Sequence, residues 1–393
     1  MSEFRGLDFF NLDALLTDEE RAIKDSTRQF VDKELIDSRT IEEHHRAGTF
    51  PMDLPRKFGE MGYLGCMLPE EYGCAGLNAT SYGLIMQELE RGDSGIRSFC
   101  SVQSSLCMYP IFSFGSEEQR KKWLPRMATG ELIGCFGLSE PDHGSDPSTM
   151  ETKATPDGKG GWVLNGTKRW ITNGTIAHLA IVWARTPEGI RGFIVPADAP
   201  GFSAPLIEGK FSLRASVTSE LIMEDVKLGP DALLPKTTGL KNALMCLSSA
   251  RYGIAWGVVG SMMAVLDEAL RYTKQRVQFD KPVASFQMVQ NKLVEMHAML
   301  THAQLTAYHL GRLKDKDEAL PVHVSFAKRE NVRAAREVAK LGRELLGANG
   351  VCDEYQAMRH LMNIESVYTY EGTHEIHTLV VGEHLTGLPA YRG

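Results

Sequence analysis

The hydrophobic rhythm of the chain changes twice. Up to about residue 130, apolar positions recur at helical spacing. Thr17-Asp18-Glu19-Glu20 places a glutamate three residues after a threonine, a capping-box signature, and Ile23, Phe30 and Val31 follow at helical intervals. Pro51, Pro55, Gly59 and Gly62 punctuate the next stretch, and Leu84, Ile85 and Leu89 mark a helix over Tyr82 to Arg91. From about Ile133 to Pro235 the period shortens. Gly161-Trp162-Val163-Leu164, Leu179 to Trp183, Phe193-Ile194-Val195 and Leu221-Ile222-Met223 are β-favouring runs, and Asp157-Gly158, Asn165-Gly166 and Asn173-Gly174 read as turns between strands. After Gly239 the long period returns. Leu244, Leu247, Ile254, Val258 and Met262 predict one long helix, with others over Phe286 to Lys314, Pro321 to Leu346 and His374 to Leu385. The expected fold is mainly α with a β domain: an N-terminal helical domain over 1–132, a middle antiparallel β-barrel or sandwich over 133–238, and a C-terminal helical bundle over 239–393.

Composition narrows the function. The 393 residues are 43% hydrophobic and 24% charged, enough for two or three structural units. A net charge of -7 and a longest basic cluster of only Arg120-Lys121-Lys122 argue against binding nucleic acid. No uncharged apolar run reaches the length of a membrane span. The seven cysteines include no C-x-x-C, which predicts unpaired, buried thiols rather than disulfides or a zinc site. Met1 to Arg5 shows no secretory pattern, so the expected location is cytoplasmic, or the mitochondrial matrix after removal of a transit peptide.

Rossmann, P-loop, G-x-S-x-G and H-E-x-x-H motifs are absent, and neither His44-His45 nor His374-x-x-His377 has metal-site spacing. Three segments carry candidate chemistry. Phe136-Gly137-Leu138-Ser139-Glu140-Pro141-Asp142-His143-Gly144-Ser145-Asp146 is a strand end running into a Gly- and Ser-rich loop, suited to a flavin ring or phosphate, or to an ordinary polar turn. Lys168-Arg169-Trp170-Ile171-Thr172-Asn173-Gly174 sets Trp170 and Thr172 on one strand face, against an aromatic ligand or simply in the core. Tyr368-Thr369-Tyr370-Glu371-Gly372-Thr373-His374-Glu375 puts a carboxylate between an aromatic and a glycine, ahead of a helix that Thr373 can cap. Burial beside Tyr370 would make Glu371 a stronger base; exposure would leave it a solvated loop residue.

These three segments, in this order along an α–β–α chain, resemble the acyl-CoA dehydrogenase family from about Leu16 to Tyr391. The resemblance implies FAD bound between domains, a homotetramer, and electron-transfer flavoprotein as the electron acceptor. It implies that Phe136, Leu138, Ser139, Gly144 and Ser145 line the flavin and the thioester end of the substrate, and that Trp170, Ile171 and Thr172 pack on the isoalloxazine. Arg276, Phe279 and Gln287 match contacts to a neighbouring subunit's FAD, and Glu344, Leu345, Gly347 and Ala348 match another FAD-lining stretch. Thr373, Glu375 and Tyr391 also face FAD by this resemblance, Arg251 is a CoA-side contact, Glu371 is the base, and Gly372 beside it binds substrate. Asp280 and Ala348 depart from the family by standing where glycine is usual.

Glu88-Leu89-Glu90-Arg91-Gly92-Asp93-Ser94-Gly95-Ile96-Arg97-Ser98 resembles the glutaryl-CoA-oxidising branch, as does Ser101-Val102-Gln103-Ser104-Ser105. There, the matching arginine receives the distal carboxylate, oriented here by Glu90 and Ser98; on the residues alone, Arg97 reads as a surface arginine. The implied reaction is oxidative decarboxylation of glutaryl-CoA to crotonyl-CoA and CO2, a step of lysine and tryptophan degradation. The alternatives are a dehydrogenase of a neutral short-chain or branched acyl-CoA, an acyl-CoA oxidase, and a non-enzymatic flavoprotein.

Overall fold

The computed structural model describes residues 7–390. Helix α1 (Asp18–Val31) begins on the expected box: Thr17 Oγ1 accepts the Glu20 N–H at 3.2 Å, and the Glu20 carboxylate accepts the Thr17 N–H at 2.9 Å. Helices α2 (Thr40–Ala47), α3 (Leu54–Glu60), α4 (Ala79–Gly92), α5 (Ser94–Ser101), α6 (Tyr109–Phe114) and α7 (Glu117–Ala128) complete the N-terminal part. Asp93 ends α4 and caps α5 by accepting the Gly95 N–H at 2.7 Å, so the chain turns sharply and stays buried.

The middle domain is a sheet of β1 (Gly134–Gly137), β2 (Lys153–Pro156), β3 (Trp162–Thr172), β4 (Leu179–Thr186), β5 (Gly189–Pro196), β6 (Phe202–Ser203) and β7 (Thr218–Leu228). Its order is β1-β4-β2-β3-β7-β6, with β5 also on β4; most pairs are antiparallel, but β1 and β2 both run parallel to β4. Both faces of β4 are covered. Leu179, Ile181 and Trp183 point into the large helical core, while Ala180, Val182 and Ala184 point into the sheet's own core.

Two local expectations fail here. Asn165-Gly166 is not a turn: it lies inside β3, at a register shift against β7, because Gly166 passes too close to Thr152 for any side chain. The regular alternation expected for Trp170 and Thr172 is also broken. Lys168 pairs with Leu221 and Ile171 with Ser219, so Arg169 and Trp170 together oppose Glu220 in a bulge, and Trp170 takes φ +65°.

The C-terminal bundle consists of α8 (Leu240–Gln275), α9 (Gln287–Asp315), α10 (Pro321–Leu345), α11 (Gln356–Thr369) and α12 (His374–Thr386); a small hairpin, β8 (Val277–Gln278) and β9 (Lys281–Pro282), joins α8 to α9. Helix α8 is long and apolar enough to cross a membrane, but 83% of its most apolar window is buried by protein. Helix α11, absent from the sequence expectations, buries Ala357, His360, Asn363, Ile364 and Val367 on one face. All seven cysteines are unpaired; five are buried, Cys74 is half-buried and Cys352 is exposed, contrary to the expectation of uniformly buried thiols.

Two devices hold these parts in place. Helices α4 and α8 approach closely through glycine: a Cβ at Gly260 would strike the Gln87 carbonyl, one at Gly257 the Glu90 carboxylate, and one at Gly83 the Trp256 ring. Second, buried Lys168 donates to the Leu138 carbonyl at 3.0 Å and to Glu140 Oε1 at 2.8 Å, tying the loop after β1 to β3. Glu140 also accepts the N–H groups of Glu151 at 2.6 Å and Thr152 at 2.9 Å. Burial opposes the Glu140 charge, but these donors hold its carboxyl at about 2, while burial pulls the Lys168 ammonium down to about 8.

Gly260→Ala forces backbone apart and is expected to lower unfolding free energy by about 2 kcal/mol, seen as a lower denaturant midpoint at unchanged m-value. Lys168→Met leaves Glu140 buried without its cation and is expected to cost about 3 kcal/mol in the same measurement. Because the folded Glu140 pKa lies below its ordinary 4.5, its stabilisation is complete above about pH 4.5 and is lost as pH falls toward 2. Glu140→Gln should remove that part of the acid slope.

Candidate active site

The loop between α11 and α12 is short and conformationally costly. The Tyr370 N–H donates to the Ser366 carbonyl at 2.8 Å and ends α11; Glu371 then takes φ +54° and Gly372 φ +94°. A glutamate in the left-handed region is uncommon and persists only when its surroundings fix it. Thr373 closes the loop by accepting the Ile376 N–H at 3.2 Å at the start of α12. Three successive carbonyls accept from cationic side chains: Tyr370 from Lys328 Nζ at 3.1 Å, Glu371 from Arg251 Nε at 2.6 Å, and Gly372 from Lys328 Nζ at 2.8 Å.

Glu371 Oε2 is buried with no hydrogen-bond partner in the protein. Burial raises the Glu371 carboxyl above its ordinary value, while Arg97, Arg251 and Lys328 pull it back. A carboxylate in that setting is a strengthened base facing groups that can balance its charge.

Arg97 on α5 is 1% exposed, which corrects the reading of it as a surface arginine. Its Nε donates to Glu90 Oε2 at 2.5 Å and its Nη2 to the Tyr370 hydroxyl at 2.6 Å, and Ser98 Oγ lies 3.0 Å from that hydroxyl. Burial works against the Arg97 charge, but Glu90 and Tyr370 outweigh it and hold the guanidinium above its ordinary value. Burial pushes the Tyr370 hydroxyl up to about 12, so it stays protonated. The fold thus gathers Glu90, Arg97, Ser98, Arg251, Glu371 and Gly372 from α4, α5, α8 and the loop.

A second group lies along the sheet. Phe136 and Leu138 are buried, Ser139 and Thr172 half-buried, Ile171 buried, and Gly144 and Ser145 exposed. The Arg169 N–H donates to the Ser139 carbonyl at 2.9 Å, joining the Gly- and Ser-rich loop to the bulge that carries Trp170. The Trp170 side chain is 59% exposed, unusual for an indole, and Gly144 has open space around it. An exposed indole beside an open Gly/Ser loop suits a flat aromatic cofactor.

The remaining positions form other surfaces. Arg276, Phe279 and Gln287 are all exposed around the β8–β9 hairpin, where Phe279 and Asp280 both have positive φ, as a two-residue turn requires. That explains why glycine is usual at Asp280. Ala348, by contrast, follows Gly347, which alone takes the positive φ, so alanine fits there without backbone strain. The Glu344 carboxylate is paired with Lys292 at 2.7 Å, Leu345 is half-buried, and Glu375 is exposed. Tyr391 lies outside the described residues. Sequence reasoning missed Lys328, Lys168, Glu140 and the hydroxyl of Tyr370. Lys328 had one signal: it lies four residues from Val324 and from Val332, on an apolar helical face.

Comparison with known proteins agrees with this architecture. Residues 17–131, 135–226 and 237–386 match the N-terminal, middle and C-terminal domains of acyl-CoA dehydrogenase. The short-chain specific acyl-CoA dehydrogenase of Bos taurus mitochondria is 36% identical over 96% of this chain and 92% of its own. Among solved structures, glutaryl-CoA dehydrogenase from Mycobacterium smegmatis is 51% identical, with TM-score 0.97 over 99% of this chain and 100% of its own. A structure of a glutaryl-CoA dehydrogenase from the same organism in complex with FADH2 is 50% identical, with TM-score 0.96 over 98% of this chain and 99% of its own. The chain belongs to the acyl-CoA dehydrogenase family and is an FAD-dependent acyl-CoA dehydrogenase.

Proposed function

We propose that the chain oxidises and decarboxylates glutaryl-CoA to crotonyl-CoA and CO2, with Glu371 as the base and Arg97 as the seat of the distal carboxylate. The observation that carries this is the burial of Arg97 against Tyr370, the residue next to the base. Arg97, Arg251 and Lys328 all favour the charged form of the base, and Arg97 is paired with Glu90. A buried guanidinium is a poor neighbour for a purely apolar acyl tail and a good one for a bound anion. A carboxylate about 4 Å from it, at an effective dielectric near 20, gains roughly 4 kcal/mol before desolvation is subtracted. The similarity to glutaryl-CoA dehydrogenases at 51% identity supports the same reading.

In this reaction Glu371 removes the α-proton of the thioester. When bound, FAD supplies the electron sink that receives the β-hydride. The fit of that cofactor rests on the exposed Trp170 and on the loop Phe136, Leu138, Ser139, Gly144 and Ser145. The product of this stage, glutaconyl-CoA, loses its distal carboxyl as CO2. The C–C electron pair passes into a dienolate, which protonated Glu371 reprotonates at the γ-carbon. Electrons leave to electron-transfer flavoprotein, and the working form is a homotetramer in which Arg276, Phe279 and Gln287 reach a neighbour's cofactor. The proposed location is the cytoplasm. A second reading, a neutral short-chain acyl-CoA as substrate, is favoured by the similarity to the short-chain specific enzyme of Bos taurus. Incubation with glutaryl-CoA and an artificial acceptor separates the two: release of CO2 with crotonyl-CoA supports the first, while oxidation of butyryl-CoA with none of glutaryl-CoA overturns it.

Glu371→Gln keeps shape and removes basicity. Flavin content should be unchanged while reduction by substrate falls by roughly three orders of magnitude or more in anaerobic stopped flow. Near-normal reduction would move the base elsewhere; the other nearby candidate, Glu365, is exposed and bonded to Arg336 at 2.6 Å. Since burial raises the Glu371 carboxyl, wild-type reduction should fall as pH drops through that raised value. Arg97→Met should lower kcat/KM for glutaryl-CoA by about a hundredfold or more, while butyryl-CoA, lacking the distal carboxylate, loses far less. Equal losses for both substrates would make Arg97 structural and favour the neutral-substrate reading.

A further inference from the structure

The geometry points to Lys328 as a positioning residue for the base: its ammonium, with the Arg251 guanidinium, clamps the backbone carbonyls of residues 370–372 and thereby holds Glu371 in its left-handed conformation. The inference rests on the assignment of Glu371 as the base. Lys328 is 1% exposed, and its Nζ reaches both carbonyls that flank Glu371, at 3.1 Å and 2.8 Å, while Arg251 Nε takes the one between them at 2.6 Å. These acceptors lie just past the C-terminal end of α11, where helix carbonyls lack partners and the helix dipole favours cations. A buried ammonium is expensive unless such acceptors are fixed in place.

The platform beneath Lys328 is rigid. Val324, Asn331, Val332 and Ala335 on the same helix are buried, and Asn331 Nδ2 donates to the Ala255 carbonyl of α8 at 2.9 Å and to the Ala303 carbonyl of α9 at 3.2 Å. The amine therefore stands at a fixed point, and the loop is built around it. Gly372 completes the fit: a Cβ there would lie 2.9 Å from His377 Nε2 and 3.2 Å from Arg251 Nη2.

The groups facing Lys328 come from every side: Glu371 and Tyr370 from the loop, Arg251 from α8, Arg97 from α5, and Glu375 and His377 from α12. Burial pulls the Lys328 ammonium down to about 7, and the His377 ring, with burial as the main cause, is neutral throughout the working range. Lys328 and Glu371 each favour the charged form of the other. Removing the ammonium takes away one of the three cations that favour ionised Glu371, so the base should need a higher pH to ionise.

The test compares Lys328→Met, which removes donor and charge, with Lys328→Gln, which keeps an N–H donor without the charge. Both are purified with FAD, checked for flavin content, and mixed anaerobically with glutaryl-CoA across pH. For Lys328→Met the limiting rate of flavin reduction should fall at least about tenfold, with substrate Kd within about threefold of wild type, and the rising pH limb should move upward. Lys328→Gln should regain part of the rate and keep the shifted limb. A Met variant with an unchanged limb and a rate within about twofold of wild type overturns the clamp, as does a Gln variant with a wild-type limb. Glu371→Gln, run alongside, separates the two claims. If it is inactive while Lys328→Met is normal, only the clamp fails; if it is active, the assignment of the base fails.

Discussion

Helices α4 and α8 lie against each other only because Gly83, Gly257 and Gly260 carry no side chain at the points of contact. Close-packed interiors tolerate no extra methyl where one backbone meets another. That approach has consequences beyond packing. Gly257 sits against the Glu90–Arg97 pair, so the same contact that joins the helices also encloses the ion pair. Six residues earlier on α8, Arg251 reaches the loop that holds Glu371. One glycine-lined helix therefore supports both the Glu90–Arg97 pair and the loop that carries Glu371.

Charge in this interior is balanced locally. Lys168 answers Glu140 beneath the loop after β1, Glu90 answers Arg97, and Lys328 is satisfied by backbone carbonyls. Glu371 Oε2, by contrast, is a carboxylate oxygen buried without a hydrogen-bond donor. A group of that kind is costly in a folded protein, which is why the proposed chemistry is centred on it. Strain follows the same distribution. Trp170 and Glu371 both adopt positive φ, and both are backed by hydrogen bonds from neighbouring elements.

Much of this was legible in the chain because it depends on local rules. Thr17 and Glu20 form their box within four residues, the long helices carry their period in Leu244 to Met262, and the runs at 179–183 and 193–195 form paired strands. Glu371 was legible through the residues around it. Where local signals misled, a tertiary contact had overridden them. Asn165-Gly166 has the composition of a hairpin turn, yet Thr152 packs over Gly166 and keeps it in mid-strand; Trp170 leaves its expected face because a bulge admits one residue too many.

By itself the sequence determined the α–β–α order, since periodicity and capping are properties of neighbours along the chain, while the family and the expectation of Glu371 as base came from resemblance. The tertiary structure alone decided that Arg97 is buried, that Tyr370 rather than solvent takes its free edge, and that Lys328 and Arg251 meet at the same loop. Those residues are separated by up to 273 positions. Whether a charge that far from its partner lies in water or in the core depends on how helices pack, which no local pattern encodes.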